Sequence, residues 1–254
     1  MEKGYGSHCL NCGKENEKQA LFCSRCGQKT AVHRLDFHSM LHDVMHYFTH
    51  VERNIFTLIG KLSYQPGSVV DEYIQGKRKK YFPPVNFFLV VAGILVLMVS
   101  LFDTFEIAFS AGNTVSAPKS DSPLLHFLNS KINWLFFLTT PLLALLFRII
   151  FFRRKHNFFE HFAISLYAMG YLLLVFALVM VPVFALVNTL TAFEGMLWIF
   201  FSLACFYYAV TYFQLYRPKK IWAFFKMAVL SVIVFLILLV VVIVSIRVYY
   251  LLHR

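Results

Sequence analysis

Five uncharged apolar runs dominate this chain, at residues 85–102, 132–147, 162–187, 196–215 and 227–246. A helix needs about 20 apolar residues to cross a hydrocarbon layer, so the last three runs are long enough unaided, while flanking aromatic residues extend the first two. Each contains stretches that are apolar around the whole helix rather than along one stripe, as lipid or the inside of a bundle requires. Pro141 and Pro182 fall inside the second and third runs, where a kink is tolerated if neighbours satisfy the freed carbonyl. The pattern predicts an all-α multi-pass membrane helix bundle of about five spans over residues 84–254. Whether the second segment spans or is re-entrant stays open.

Upstream the period changes. The stretch FHSMLHDVMHYFTHVERNIFTLIGKL, residues 37–62, spaces Met40, Leu41, Val44, Phe48, Val51, Ile55, Leu58 and Ile59 as in an amphipathic helix. Within it His38, His42, His46 and His50 recur at every fourth position, so neighbouring rings share a face while the row turns about 40° per step. His42 and His46, joined by Asp43 or His33, could hold a second metal. Two histidines are not a complete ligand set, however, and an interfacial helix with histidines bordering its apolar side is the simpler reading. A second helical piece follows in QPGSVVDEYIQGKRKKYFPP. There Ser68 is expected to cap, Asp71 and Glu72 to favour the N-terminal dipole and Gly76 to end the helix. Its Val69, Val70, Tyr73 and Ile74 form an apolar side, predicted to lie on the membrane surface until Pro83 and Pro84 turn the chain into the first span. Residues 33–83 thus read as a cytoplasmic amphipathic helical connector.

Composition agrees: 59% of residues are hydrophobic and 29 are Phe, against about 45–50% apolar in ordinary soluble domains. The net charge of +11 is distributed by topology. Lys77, Arg78, Lys79 and Lys80 precede the first span; Arg148, Arg153, Arg154 and Lys155 follow the second; Arg217, Lys219, Lys220 and Lys226 separate the fourth from the fifth. The alternate segments carry only Lys119, Lys131, Arg247 and Arg254. The positive-inside rule then predicts a cytoplasmic (inner) membrane protein with its N-terminus in the cytoplasm and its C-terminus outside. Lys77, Arg78, Lys79 and Lys80 are candidate membrane-surface residues for anionic headgroups, or topology determinants alone.

The N-terminal segment brings a different chemistry. Cys9 and Cys12, then Cys23 and Cys26, form two CxxC pairs separated by ten residues, each followed by glycine, Gly13 and Gly27. Each pair can make a knuckle that points two thiolates at one ion, its glycine taking the left-handed conformation that ends the turn. Four thiolates with no open position make a structural site, so residues 1–32 read as a zinc ribbon holding one Zn2+. Iron in a rubredoxin-like site and disulfides are the alternatives; no signal peptide opens the sequence, and the spacing reads as metal. Cys205 lies in an apolar run and is expected to pack. Nucleic acid is not an expected partner, because residues 1–33 hold five Lys or Arg against three Glu, too few clustered cations for phosphate binding.

Enzymatic and transport readings have less to stand on. In HNFFEH, His156 and Glu160 share a helix face, but His156 and His161 are five apart and fall on opposite sides, unlike the paired histidines of metalloproteases. Glu160 suits the start of the third span and His161 is expected to meet a basic loop or headgroup. No GxSxG, phosphate loop or dinucleotide fingerprint is present. The spans carry no ionisable residue near their middles, where coupled carriers keep them, although Tyr207, Tyr208, Thr211, Tyr212 and Gln214 could line a lipid or small-molecule pocket.

The order of a CxxCG…FCxxCGQK ribbon, the block PGSVVDEYIQGKRKKYFPPVNFFL and the basic entry FRRKHNFFEHFAISLY resembles a bacterial membrane-protein family known as domain of unknown function 3667. The matching positions include Pro66, Gly67, Tyr73, Gly76, Lys77, Arg78, Tyr81, Pro84, Glu160 and His161. The resemblance implies a cytoplasmic zinc ribbon joined to several membrane helices, with no established activity. The expected function is a non-enzymatic docking or regulatory role, with membrane lipids and a protein at the ribbon as partners. The alternative is lipid or small-solute transport, gated or assembled through the ribbon.

Overall fold

The computed structural model describes residues 8–17, 20–32, 34–37, 39–40, 54–102, 138–152, 156–187 and 190–252. Beyond the cysteine-bearing segment these residues are helical: α1 Asn54–Tyr64, α2 Pro66–Ile74, α3 Pro84–Leu101, α4 Leu138–Ile150, α5 Phe158–Val187, α6 Leu190–Tyr216 and α7 Trp222–Leu252. A short 3-10 turn, Arg78–Lys80, links α2 to α3. Among the described residues β-structure is confined to two isolated bridges, His8 with Glu15 and Phe22 with Lys29.

Three helices are long and apolar enough to cross a membrane: Arg78–Leu101, Phe158–Val187 and Gly195–Tyr216. They carry the first, third and fourth apolar runs and mark the chain as a membrane protein. The second and fifth runs overlap the shorter apolar helices Leu138–Ile150 and Trp222–Leu238, the latter being the first part of α7. The helix starts follow local chemistry. Pro84 opens α3 in the first turn, where its missing N–H costs nothing. Asn157 and Glu160 form a reciprocal capping box at the start of α5. The kink expected at Pro182 is preceded by a widened π turn, Phe176–Met180, where the helix absorbs the bond that proline cannot make.

The core is centred on α5, which packs against both α3 and α6. Tyr167 of α5 donates to the Phe82 carbonyl at 2.7 Å and meets Tyr73 of α2 edge-on at 5.6 Å. One turn further along, Gly170 makes room for Phe87: a Cβ there would stand 2.8 Å from its ring. Phe147 of α4 stacks on Tyr208 of α6 at 5.1 Å.

The α1–α2 hairpin departs from the surface position that its sequence predicts. Leu58 and Leu62 of α1, and Val69, Val70 and Tyr73 of α2, are buried in the same core as the spans. The turn is wedged against α6, whose polar side chains take up its backbone. Tyr207 donates to the Leu62 carbonyl at 2.8 Å, and Gln214 donates to the Tyr64 carbonyl and accepts from the Gly67 N–H, both at 3.0 Å. Tyr171 of α5 adds a bond to the Ser63 hydroxyl at 3.1 Å. Ser68 is not the cap: α2 begins at Pro66, with Gln65 preceding it, because proline fixes the first helical φ two residues earlier. Gly76 does end α2 in the left-handed region, at φ +107°.

Candidate metal centre and its seat on the membrane helices

Each CxxC pair folds into the same knuckle. Gly13 N–H donates to the Cys9 carbonyl and Gly27 N–H to the Cys23 carbonyl, both at 2.9 Å. Cys9 N–H donates to the Lys14 carbonyl and Cys23 N–H to the Gln28 carbonyl, both at 2.8 Å. Gly13 and Gly27 sit at φ +73° and +67°, the left-handed conformation that their position after each pair predicts. Lys14 of one knuckle donates to the Ser24 hydroxyl of the other at 3.0 Å.

The result is a four-sulfur cluster. The Sγ atoms of Cys9, Cys12, Cys23 and Cys26 all lie within 4.8 Å of one another, with Cys9 to Cys26 at 3.5 Å and Cys12 to Cys23 at 3.6 Å. These separations far exceed a disulfide's roughly 2.05 Å. They suit the edges of a tetrahedron whose metal–sulfur arms are about 2.3 Å. The N–H groups of Arg25 and Cys26 point at the Cys23 sulfur and lower its pKa toward the thiolate that a metal needs, while burial raises that of Cys9. The four cysteines could therefore bind one metal ion. Cys205, far along the chain, is buried in the helical core.

The knuckles do not hang free of the helices. Gln28, only 4% exposed, accepts the Lys79 N–H at 3.0 Å, and Leu10 and Val32 close over Gly76 so tightly that a Cβ there would stand 2.8 Å from Val32. Further on, Arg34 grips Glu160 with two parallel bonds, Nε at 2.8 Å and the second nitrogen at 2.9 Å, a fork geometry that fixes direction as well as distance. Asn157 donates to the Leu35 carbonyl at 2.8 Å, and Leu35 and Met40 enter the helical core.

The basic run is folded rather than splayed toward solvent. Glu72 accepts from Lys77 at 3.2 Å, Lys80 at 2.5 Å and the Tyr81 hydroxyl at 2.6 Å. Burial opposes its charge, but these three donors win and hold the carboxyl at about 2. Lys61 reaches in from α1 to the Tyr81 oxygen at 3.4 Å. Asp71 and Glu72 thus act through α2's far end, Asp71 facing Gln75 at 2.7 Å and Arg217 at 3.6 Å, and not through the helix's first turn.

At the head of α5, Glu160 binds Arg34 and His156, the latter at 3.3 Å. The His156 and His161 rings, expected on opposite sides, lie 6.1 Å apart, because His156 precedes the cap and is not on the helix. His161 corrects a second expectation: it is fully buried and shares a 2.9 Å hydrogen bond with the Tyr212 hydroxyl instead of facing a loop or headgroup. The polar residues of α6 are likewise engaged inside the protein. Tyr208 donates to the Ser165 carbonyl at 3.3 Å and Thr211 to the Tyr207 carbonyl at 2.8 Å, while Tyr207 and Gln214 hold the hairpin turn. His33, His38, His42, His46 and His50 lie outside the described residues. Among those described, the four cysteines are the one cluster of metal-ligating side chains.

Sequence reasoning passed over Gln28, Arg34, Asn157 and Lys61. Asn157 three residues before Glu160 is a legible capping pattern; the other three bond to residues distant in sequence and leave no local signal. No curated protein and no solved structure matches the chain. The hairpin, the Glu72 cluster and the first span are another matter: residues 52–96 match the family described as Protein of unknown function (DUF3667).

Proposed function

We propose that this is a non-enzymatic multi-pass membrane protein of bacterial type whose N-terminal ribbon, folded by one structural zinc, is a cytoplasmic docking or regulatory module for a protein partner. Zinc is the ion of choice for four thiolates in paired knuckles with no open position for water. One observation carries the reading: the ribbon has two differently used sides. Its inner side is held to the helices by Gln28, by Val32 packed on Gly76 and by the following Arg34, while Leu10 is 42% exposed and Leu21 and Phe22 on the second knuckle are 66% and 53% exposed. Metal thus orders a small apolar surface at a set position beside the membrane entrance. The transport reading gains nothing from α6, whose polar groups are bonded within the protein.

A photo-crosslinking residue at Phe22 tests this in cells. A discrete protein adduct is expected there with the ribbon intact and is lost with Cys23→Ser. Absence of any adduct, together with solute flux or lipid scrambling by the purified protein in liposomes, transfers the proposal to transport.

The proposal also requires five spans, a cytoplasmic N-terminus and an external C-terminus, with Lys77, Arg78, Lys79 and Lys80 at the inner headgroups. Twelve cations beside the spans on the cytoplasmic side against four outside support that orientation. Single cysteines placed in a background lacking native thiols should label from outside at 110–122 and near His253, and near Lys14, Lys155 and Lys219 only after permeabilisation. Cytoplasmic labelling at His253 would make the span count even, with the second segment at fault; external labelling at Lys14 would end the docking proposal.

A further inference from the structure

At the start of the first span two lysines close on one carboxylate, and a third, from α1, reaches the tyrosine bonded to it. Lys77 and Lys80 hold Glu72, and Lys61 of α1 meets the Tyr81 hydroxyl that itself donates to Glu72. The Lys61 and Lys80 ammonium groups lie 5.4 and 5.3 Å from the centre of the Tyr81 ring. Three cations against one anion leave an excess of two positive charges, in a cluster where Tyr81 is 1% exposed and the Lys77, Lys80 and Glu72 side chains are 34%, 34% and 27% exposed. Solvent only partly screens such an excess at this depth, and it attracts a counter-ion. Lys61 feels the excess: burial first, then Lys80, depress its pKa against a smaller opposing pull from Glu72, and its ammonium bonds to the Tyr81 hydroxyl and to no carboxylate among the described residues. The other nearby acid, Asp71, is turned toward Gln75 and Arg217.

The donors also match an anion of several oxygens. An ammonium carries three N–H donors. Lys77 and Lys80 each direct one at Glu72 and Lys61 directs one at Tyr81, so further N–H groups on all three remain for an acceptor placed between them. The cluster immediately precedes Pro84, where α3 begins, the level at which a cytoplasmic leaflet presents its phosphates.

We propose that Lys61, Lys77 and Lys80 form a binding site for one phosphate group, supplied by an anionic lipid headgroup or by free phosphate. Glu72 is the internal strut that keeps Lys77 and Lys80 converged. A topology signal needs only charge near a span; this site needs Lys61, which belongs to α1 and is brought in by the hairpin. The proposal holds whether or not the ribbon docks a protein.

The test is heat unfolding of the full chain in neutral detergent, titrated with phosphatidylglycerol, phosphatidylcholine or inorganic phosphate at constant ionic strength. Phosphatidylglycerol or inorganic phosphate should raise the midpoint and phosphatidylcholine should not. A rise with phosphatidylglycerol alone assigns the site to lipid, a rise with inorganic phosphate alone to the free ion, and a rise with both to the phosphate group itself. Lys61→Gln should leave the anion-free midpoint unchanged or raised, since it removes a repelled charge, and weaken the anion response about fivefold, the equivalent of about 1 kcal/mol for one cation. Lys220→Gln, at an exposed turn position, should respond as wild type. No anion-induced rise in wild type, or equal responses from the two variants, overturns the proposal. Should Lys61→Gln not fold, native mass spectrometry of wild type decides: one phosphatidylglycerol or phosphate retained per chain supports the site, and retention no greater than that of phosphatidylcholine overturns it.

Discussion

Alanine at Gly67 is expected to unseat the α1–α2 hairpin, a large effect for one added methyl group. Its Cβ would stand 2.6 Å from the Leu215 backbone nitrogen and 2.5 Å from the Gln214 Cβ, and would press into the Thr211 carbonyl oxygen. Two of these neighbours are backbone of α6, so no rotamer change relieves the clash; α2 must back away and the Gly67 to Gln214 hydrogen bond goes with it. Overpacking ordinarily costs about 1–3 kcal/mol, and a backbone obstacle puts this case at or above the upper end. Gly60→Ala is the control. Nothing lies within 4 Å of its added Cβ, and alanine favours a helix interior over glycine by about 0.5–1 kcal/mol. Heat unfolding in detergent should lower the midpoint for the first variant and leave or raise it for the second. A wild-type midpoint for Gly67→Ala would mean that the hairpin is not seated on α6.

Loss of the metal should unfold the ribbon and leave the membrane helices standing. The segment is too small to supply an adequate apolar core, so its stability is expected to come from the metal, worth on the order of 10–16 kcal/mol at structural zinc sites. The spanning helices satisfy their backbone bonds within themselves and do not depend on it. Elemental analysis of the purified chain should find one zinc, and Cys9→Ser or Cys26→Ser should abolish binding. Limited proteolysis should then cut within residues 8–32 while far-ultraviolet circular dichroism keeps its helical signal. The bond from the Lys79 backbone N–H to Gln28 should be lost with the fold that presents it, so the Lys79 amide hydrogen should exchange faster with solvent. Two zinc ions, one lost with His42→Ala and His46→Ala together, would give the histidine row a metal after all. Ribbon resistance to proteolysis without metal would refute the dependence.

The cysteine knuckles and the long apolar helices could be read from the chain because their causes are local. CxxCG contains in five residues both the sulfurs and the glycine whose left-handed φ closes the turn; the 18 predominantly apolar residues from Pro84 to Leu101 make a helix in any apolar setting. The same locality made Gly76 legible as a helix end, and the Asn157 cap, though passed over, carries an equally local signal. Where the hairpin sits could not be read in this way. Val69, Val70 and Tyr73 declare an apolar side of α2, but a membrane surface and a groove between helices satisfy that side equally. Gln214 and Tyr207, almost 150 residues further on, decide for the groove by hydrogen-bonding the turn's backbone. The basic run behaves likewise: four consecutive cations signal a membrane entrance, yet only the fold brings Lys61 beside Lys80 and sets Glu72 among them. His161 could be placed at the head of a helix from sequence, whereas its burial against Tyr212 depended on α6. Sequence alone thus determined which segments are apolar, which turns close and which sulfurs can meet. Tertiary structure decided which polar groups are satisfied internally, because a buried donor or acceptor must find a partner and that partner is set by packing rather than by sequence distance.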